Sequence, residues 1–291
     1  MELTFRRLHP HIGAEVGAID LRQVHDRDTL DRLRAGMDEY AVLVFRDQQF
    51  TDQDQLQFAQ RFDGVLHSKT GISALGKNRL GDEALSDISN VDEQGGIRKA
   101  EDRRRMYSLA NRLWHTDASF QNPPGRYSML SARVIPPVAA DTEFADMRAA
   151  YDALDPALCR QLEGLHIHHS IAYSRQTLGF EFEQEELDQL KGAVHPAVRT
   201  NPRTGRRSLY IASHATRIVE WPVAEGRLML RDLMDHATQR RFVYAHAWRA
   251  GDLVIWDNLA TMHRARPFDD SKYRRELRRV TTLDVDLPAS A

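Results

Sequence analysis

The sequence predicts a mainly β protein with helical additions, built around an antiparallel core. Short apolar runs rich in β-branched residues are scattered along the whole chain, and the candidate helices gather in blocks between them. Strands and helices do not alternate regularly, as they would in a parallel, doubly wound sheet. No internal repeat or low-complexity tract divides the chain. We therefore expect a single domain over residues 1–291.

The first part of the chain contains four predicted elements: strands over 14–21 and 41–45, and helices over 28–40 and 53–62. The first helix follows from Leu30, Leu33 and Met37, which recur at the spacing of one helical face. Thr51 is a favourable N-cap residue for the second helix.

Residues 63–110 have a weaker pattern, with one strand-like segment at 87–91 and a strongly charged stretch at 98–105. Long segments of this kind in a compact domain are often functional or mobile. We expect an active-site lid within 63–110, and an ordinary surface excursion is an equally good interpretation of the sequence.

The second half of the chain continues the β pattern, interrupted by three helices. The predicted helices cover 147–154, 156–165 and 224–238, and the predicted strands cover 127–134, 141–146, 208–212, 242–248, 252–257 and 278–283.

Composition excludes several classes of protein. The 40 basic and 42 acidic residues nearly cancel, so the overall charge does not predict nucleic-acid binding. Cys159 is the single cysteine, so no intrachain disulfide forms. No apolar run reaches the roughly 20 residues of a membrane helix, and the first residues are too polar for a secretion signal. We expect a cytoplasmic protein without a membrane or nucleic-acid partner.

Two short segments predict a metal site. His115 and Asp117 are two residues apart, so on a strand their side chains point to one side. His263 follows the apolar run 253–256 and a turn. Two histidines and one carboxylate on one face of a metal form the facial triad of non-haem iron(II) oxygenases. The H-x-D pair alone is a weak signal, because a surface or otherwise satisfied histidine is the more common case.

Paired arginines strengthen this interpretation. Arg275 and Arg279 follow His263 closely and are four residues apart at the start of the last predicted strand, which places them on one face. A buried arginine needs an anionic partner, and a carboxylate offers a bidentate one. A solvated basic strip or a nucleic-acid patch is the alternative.

At these residues the sequence resembles the taurine/2,4-dichlorophenoxyacetate family of Fe(II)/2-oxoglutarate-dependent dioxygenases. The matching blocks run in order along nearly the whole chain, and they include DISNV at 87–91, LWHTDASFQ at 113–121, RYSMLSA at 126–132, DTEFADMRAAYDAL at 141–154 and RRELRRVTTLD at 274–284. The resemblance implies a double-stranded β-helix, or jelly-roll, core with helices packed outside. Residues 63–85 match poorly, which leaves the exact substrate open.

The resemblance also implies roles for individual residues. His115, Asp117 and His263 would bind Fe(II), and Thr142 with Arg275 would hold the co-substrate 2-oxoglutarate. Arg279 would bind the carboxylate of the primary substrate. Further pocket residues would be His214, Asn111, Ser89 and Lys69, although His214 is equally well explained as a satisfied histidine at a strand end.

The expected reaction consumes O2 and hydroxylates the carbon next to the carboxylate of an aryloxyacetate. A phenol and glyoxylate would be released, with succinate and CO2, and ascorbate would serve as reductant in vitro. A sulfonate or sulfate-ester dioxygenase of the same fold is the first alternative. A zinc hydrolase and a non-catalytic barrel that binds a small acid are the others. Members of the family lead us to expect a homo-oligomer.

Overall fold

The computed structural model describes residues 3–68 and 79–285. The strands are β1 (Phe5–Arg7), β2 (Ala14–Val16), β3 (Val42–Phe45), β4 (Leu85–Ser89), β5 (Gly125–Val134), β6 (Thr142–Asp146), β7 (His166–His169), β8 (Ala193–Pro196), β9 (Val198–Thr200), β10 (Arg207–Leu209), β11 (Ala215–Ile218), β12 (Val243–His246), β13 (Leu253–Asp257), β14 (Thr261–Ala265) and β15 (Glu276–Leu283).

The helices lie between these strands in blocks, as the sequence predicts. They are α1 (Arg27–Tyr40), α2 (Asp52–Asp63), α3 (Arg103–Ser108), α4 (Met147–Asp152), α5 (Pro156–Leu162), α6 (Ile171–Gln176), α7 (Gln184–Gln189) and α8 (Val223–Ala237). Short 3-10 turns occupy Leu21–Gln23, Leu109–Arg112 and Arg240–Phe242.

The described strands form four separate sheets. The largest sheet has seven strands in the order β1-β2-β3-β13-β5-β15-β4, and a three-stranded sheet has the order β12-β6-β14. A further three-stranded sheet, β11-β7-β8, and the pair β10-β9 lie outside these two. Among the described strand pairs only β2–β3 is parallel, so the predicted antiparallel core is confirmed.

The seven-stranded sheet is buried on both faces, and the alternation along its central strands shows this directly. On β13, Leu253 and Ile255 join a core cluster with residues of α1 and α2, whereas Val254 and Trp256 join a second cluster that contains Phe144 of β6. Side chains of a strand alternate between faces. One face of the sheet therefore packs on helices and the other faces the sheet β12-β6-β14.

The helices on the outer face begin at well-formed caps. The Asp26 carboxylate accepts the Thr29 amide at 2.8 Å before α1, and Thr51 and Asp54 form a reciprocal capping box before α2. Helix α1 buries Leu33 and Met37 against the sheet. These contacts fix the helices on one face of the seven-stranded sheet. The candidate site lies on the opposite face, which packs on the sheet β12-β6-β14.

The segment predicted as a lid contributes β4, α3 and the following 3-10 turn to the described structure.

No helix in the two described ranges is long and apolar enough to cross a membrane.

Candidate active site

Backbone hydrogen bonds place His115 beside His263. The His115 amide donates to the His263 carbonyl at 3.0 Å, and the His263 amide donates back to the His115 carbonyl at 2.7 Å. His263 lies at the centre of β14, whereas His115 follows the 3-10 turn that ends at Arg112. The two imidazole centroids are consequently 4.2 Å apart.

Asp117 completes a cluster that can hold a metal ion. One ligand atom from each of His115, Asp117 and His263 lies within 4.8 Å of the others, and all three residues are buried. The Asp117 Oδ2 and His263 Nε2 atoms are 3.7 Å apart. Elsewhere in residues 3–68 and 79–285 no other group of three such side chains converges in this way.

Hydrogen bonds orient the two imidazoles. His115 Nδ1 donates to the Leu113 carbonyl at 2.8 Å, which leaves its Nε2 as an acceptor with a free electron pair. His263 Nδ1 is buried with no hydrogen-bond partner among the described residues. The Nε2 atom of His263 faces Asp117. Both rings can therefore present Nε2 to one ion.

Two hydrogen bonds hold the carboxylate of Asp117, and a third holds its backbone. Ser128 Oγ donates to Oδ2 at 2.7 Å, and Arg279 Nη1 donates to Oδ1 at 2.5 Å. The Asp117 amide donates to Asn258 Oδ1 at 3.0 Å. Asn258 is itself fixed, because its Oδ1 also accepts Trp256 Nε1 at 3.0 Å and its Nδ2 donates to Ser128 at 2.9 Å. Asn258 and Ser128 are not among the site residues predicted from the sequence.

Burial and charge set the protonation states of the cluster. Burial lowers the pKa of His115 to about 4 and holds the pKa of His263 well below its usual range. Burial also disfavours the charged form of Asp117, but the cationic Arg279 prevails and the pKa falls to about 2. At neutral pH the cluster therefore offers two neutral imidazoles and one carboxylate, which is the state that binds a divalent cation.

This donor set fits a mononuclear iron(II) centre. Two nitrogen atoms and one oxygen atom on one side of an ion leave the remaining positions for other ligands. The open side adjoins a cavity lined by His115, Asp117 and Arg279, together with His67, Phe120 and Thr281.

Most of the predicted pocket residues reach this cavity. Ser89, Asn111 and His214 line it. His214 is buried, its Nδ1 donates to Ser174 Oγ at 2.9 Å, and its ring lies edge-on to His115 at 6.0 Å. Lys69 lies outside the described residues.

Arg275 and Thr142 are not among the residues that line this cavity. Arg275 lines a neighbouring cavity that shares Ser89 and Asn111 with the first one. Its Nη2 donates to the Ala140 carbonyl at 3.4 Å, two residues before Thr142, and its Nε has no partner among the described residues. Burial lowers the pKa of Arg275 to about 10. Thr142 is also buried, and its Oγ1 accepts Trp248 Nε1 at 3.0 Å.

Two further residues of the cavity are not among those predicted from the sequence. Arg175 of α6 lines the cavity and is buried, and its guanidinium lies 4.6 Å from the centre of the Tyr107 ring. Tyr107 belongs to α3 and lines the same cavity. Neither residue lies in a recognisable motif, and only the packing of two short helices brings them to the site.

Comparison with known proteins identifies the class of enzyme as a 2-oxoglutarate-dependent dioxygenase. Residues 4–281 match the model of the family described as taurine catabolism dioxygenase TauD, TfdA family, and the chain belongs to that family.

Among curated relatives, the α-ketoglutarate-dependent 2,4-dichlorophenoxyacetate dioxygenase of Cupriavidus pinatubonensis is 45% identical, over 98% of this chain and 99% of the relative. The (S)-phenoxypropionate/α-ketoglutarate dioxygenase of Sphingobium herbicidovorans is 36% identical, over 90% and 88%. Among solved structures, AAD-2 in complex with Mn(II) and N-oxalylglycine superposes with a TM-score of 0.89 at 42% identity, and the match covers all of both chains. The oxygenase prediction is therefore confirmed at the level of family and reaction class.

Proposed function

We propose that the protein hydroxylates the carbon next to the carboxylate of an aryloxyacetate, with Fe(II), 2-oxoglutarate and O2. The observation that carries the proposal is the buried His115–Asp117–His263 cluster, to which Arg279 is joined through Asp117. Relatives named for 2,4-dichlorophenoxyacetate and phenoxypropionate support the substrate class. The same relationship supports a jelly-roll core, whose two layers would be the seven-stranded sheet and the sheet β12-β6-β14.

His115, Asp117 and His263 would hold the iron. Iron(II) with 2-oxoglutarate and O2 supplies the oxidising power, and succinate and CO2 are the co-products. The chain contributes neutral imidazoles, an ionised carboxylate and a buried environment. Ser128 and Arg279 hold the Asp117 carboxylate so that its oxygen atoms keep a fixed direction.

Arg275 and Thr142 would bind the distal carboxylate of 2-oxoglutarate. A buried guanidinium without a counter-ion is costly, and a carboxylate pairs with it in a bidentate manner. The unpartnered Nε of Arg275 and its contact with the Ala140 carbonyl beside Thr142 support this assignment.

Arg279 would hold the carboxylate of the primary substrate. One of its Nη atoms is engaged by Asp117, and the guanidinium lines the cavity beside the metal ligands. A carboxylate held there brings its neighbouring carbon close to the metal centre, which is the positional control that hydroxylation requires. Hydroxylation at that carbon gives a hemiacetal, which separates into a phenol and glyoxylate.

We also propose that residues 1–291 form one domain, that the segment 63–110 includes a cover over the cavity, and that the protein is a homo-oligomer. Residues 86–89 of β4 and Tyr107 of α3 already line the cavity, which supports the cover.

The test is succinate formation by purified protein with Fe(II), ascorbate, O2 and 2-oxoglutarate, across aryloxyacetates, alkyl sulfonates and sulfate esters. We expect succinate and phenol in equal amounts with an aryloxyacetate and no product from His115→Ala. Succinate accompanied by sulfite or sulfate would replace the substrate class, because a guanidinium also binds these anions. Absence of substrate-stimulated succinate with every compound contradicts the proposal.

Arg279 is tested by a pair of variants. Arg279→Ala should raise KM for the aryloxyacetate by roughly 10–100-fold, because a charge-assisted hydrogen bond is lost. Mn(II) keeps all three ligand side chains, so its affinity should fall by less, through the lost contact with Asp117 alone. Arg274→Ala is the matched control, since Arg274 is half-exposed and pairs with Glu276. Loss of metal binding equal to the loss of substrate binding in Arg279→Ala contradicts its assignment.

A further inference from the structure

Five arginines in the described residues are buried: Arg126, Arg148, Arg175, Arg275 and Arg278. Three of them have carboxylate partners, since Arg126 pairs with Asp257, Arg148 with Asp146 and Arg278 with Asp87. Arg175 and Arg275 have no carboxylate partner in the part of the chain that the structure describes. The co-substrate accounts for Arg275 under the proposed function, and Arg175 is left with an uncompensated charge.

The orientation of Arg175 is fixed by its neighbours. Its Nη1 donates to Ser174 Oγ at 2.8 Å, and the Tyr107 ring lies against the guanidinium at 4.6 Å. Ser174 Oγ also accepts His214 Nδ1 at 2.9 Å and donates to the Ile171 carbonyl. The guanidinium is thus built into a network rather than left to rotate.

One donor of Arg175 remains unused. Its Nε is buried without a hydrogen-bond partner among the described residues, and the side chain lines the same cavity as His115, Asp117 and Arg279. Leaving a charged donor unpaired in the interior is unfavourable unless an anion compensates it. Asp117 already takes one donor of Arg279. The other arginines that line the cavity, Arg79, Arg98 and Arg104, also have carboxylate partners, whereas Arg175 has none among the described residues.

We propose that Arg175 is a second anion-binding residue of the substrate pocket and holds the substrate carboxylate together with Arg279. The proposal rests on the proposed function, because it assumes that an anionic substrate enters this cavity. Helix α6 and Tyr107 then position the Arg175 guanidinium, and the bound carboxylate explains the charged side chain beside the metal ligands.

The test compares an anion with its neutral isostere. Binding of phenoxyacetate and of phenoxyacetamide is measured by calorimetry on protein loaded with Mn(II) and 2-oxoglutarate, for the wild type, Arg175→Gln and Arg175→Lys. Arg175→Gln should weaken phenoxyacetate binding by roughly tenfold or more and change phenoxyacetamide binding by less than about twofold. Arg175→Lys should give an intermediate preference for the anion, because the charge remains but the planar fork is lost.

Arg227→Gln is the matched control. Arg227 is exposed, and its guanidinium lies over the ring of Tyr173 in the same helix as Arg175. Its replacement should leave both affinities unchanged. Arg279→Gln and the double variant complete a cycle: if both guanidiniums hold one carboxylate, their effects on phenoxyacetate binding should be non-additive.

An unchanged preference for phenoxyacetate over phenoxyacetamide in Arg175→Gln overturns the assignment, as does an equal loss of both ligands. If Arg175→Gln does not fold, the same comparison is made with Arg175→Lys, and an unchanged preference there also overturns it. Additive effects in the cycle overturn the shared carboxylate. Wild-type protein that binds phenoxyacetate but forms no phenol contradicts the proposed function alone, whereas wild-type protein that does not bind it contradicts both.

Discussion

Two serines of β5 provide a matched measurement of what holds the metal ligands in place. Ser128 and Ser131 are both fully buried in the same strand. Ser128 Oγ donates to Asp117 Oδ2 at 2.7 Å, accepts Asn258 Nδ2 at 2.9 Å and lies 2.9 Å from Thr281 Oγ1. Ser131 Oγ has no hydrogen-bond partner among the described residues.

The two alanine variants should differ strongly. Ser128→Ala loses a hydrogen bond to a carboxylate, which contributes about 1.5–3 kcal/mol, and leaves two further buried groups short of a partner at about 1 kcal/mol each. We expect the free energy of unfolding of the metal-free protein to fall by about 3–5 kcal/mol. Ser131→Ala removes a hydroxyl that makes no hydrogen bond, so its effect should stay within about 1 kcal/mol.

The assay is urea unfolding in EDTA, followed by Mn(II) titration of each variant. Ser128 also fixes the direction of the Asp117 carboxylate by its hydrogen bond. Its loss should therefore weaken Mn(II) binding by roughly 10–100-fold. Equal urea midpoints for the two variants, or equal Mn(II) affinities, would refute the role given to the Ser128 network.

Three further outcomes follow from the structure. Gly125→Ala should cost about 1–3 kcal/mol and weaken Mn(II) binding, because the new Cβ would lie 2.9 Å from the Asp117 carbonyl; a variant with wild-type Mn(II) affinity contradicts this. Burial lowers the pKa of His169 to about 3, so the unfolded state binds the proton more tightly and stability falls as pH drops from about 6.5 towards 3. His169→Phe should flatten that dependence in urea midpoints taken at several pH values, and an unchanged slope contradicts the reasoning. Asn90→Ala should weaken 2-oxoglutarate binding in calorimetry by roughly tenfold. The Asn90 side chain accepts the Arg275 amide at 2.8 Å and donates to two carbonyls of the loop that precedes β15. Unchanged 2-oxoglutarate affinity would show that Arg275 does not depend on Asn90 for its position.

Local patterns predicted most of the elements of secondary structure. The helix expected over 28–40 is α1, and the strands expected over 127–134 and 252–257 are β5 and β13, with ends that differ by one or two residues. The strand expected over 14–21 is shorter, because the chain turns after Val16 and enters the 3-10 turn Leu21–Gln23. These signals are local, since they depend on periodicity and caps within one segment.

The candidate site was only partly accessible from the sequence. His115 and Asp117 share a short spacing, and His263 and the two arginines stand in a recognisable order. Ser128, Asn258 and Arg175 carry no such signal. Their roles depend on contacts between residues more than a hundred positions apart or on the packing of a six-residue helix. A local sequence pattern predicts neither kind of contact.

The reciprocal hydrogen bonds between the backbones of His115 and His263 have a consequence for metal exchange. Because the backbone of each ligand residue is held by the other, the spacing of the two imidazoles should not depend on which ion they bind. Such a rigid pair discriminates poorly between divalent ions of similar size, and affinity should follow the intrinsic order Mn(II) below Fe(II) below Co(II). The metal found in the protein would then be decided by supply, and Mn(II) and Co(II) should act as inert competitors that occupy the centre without altering the fold around it.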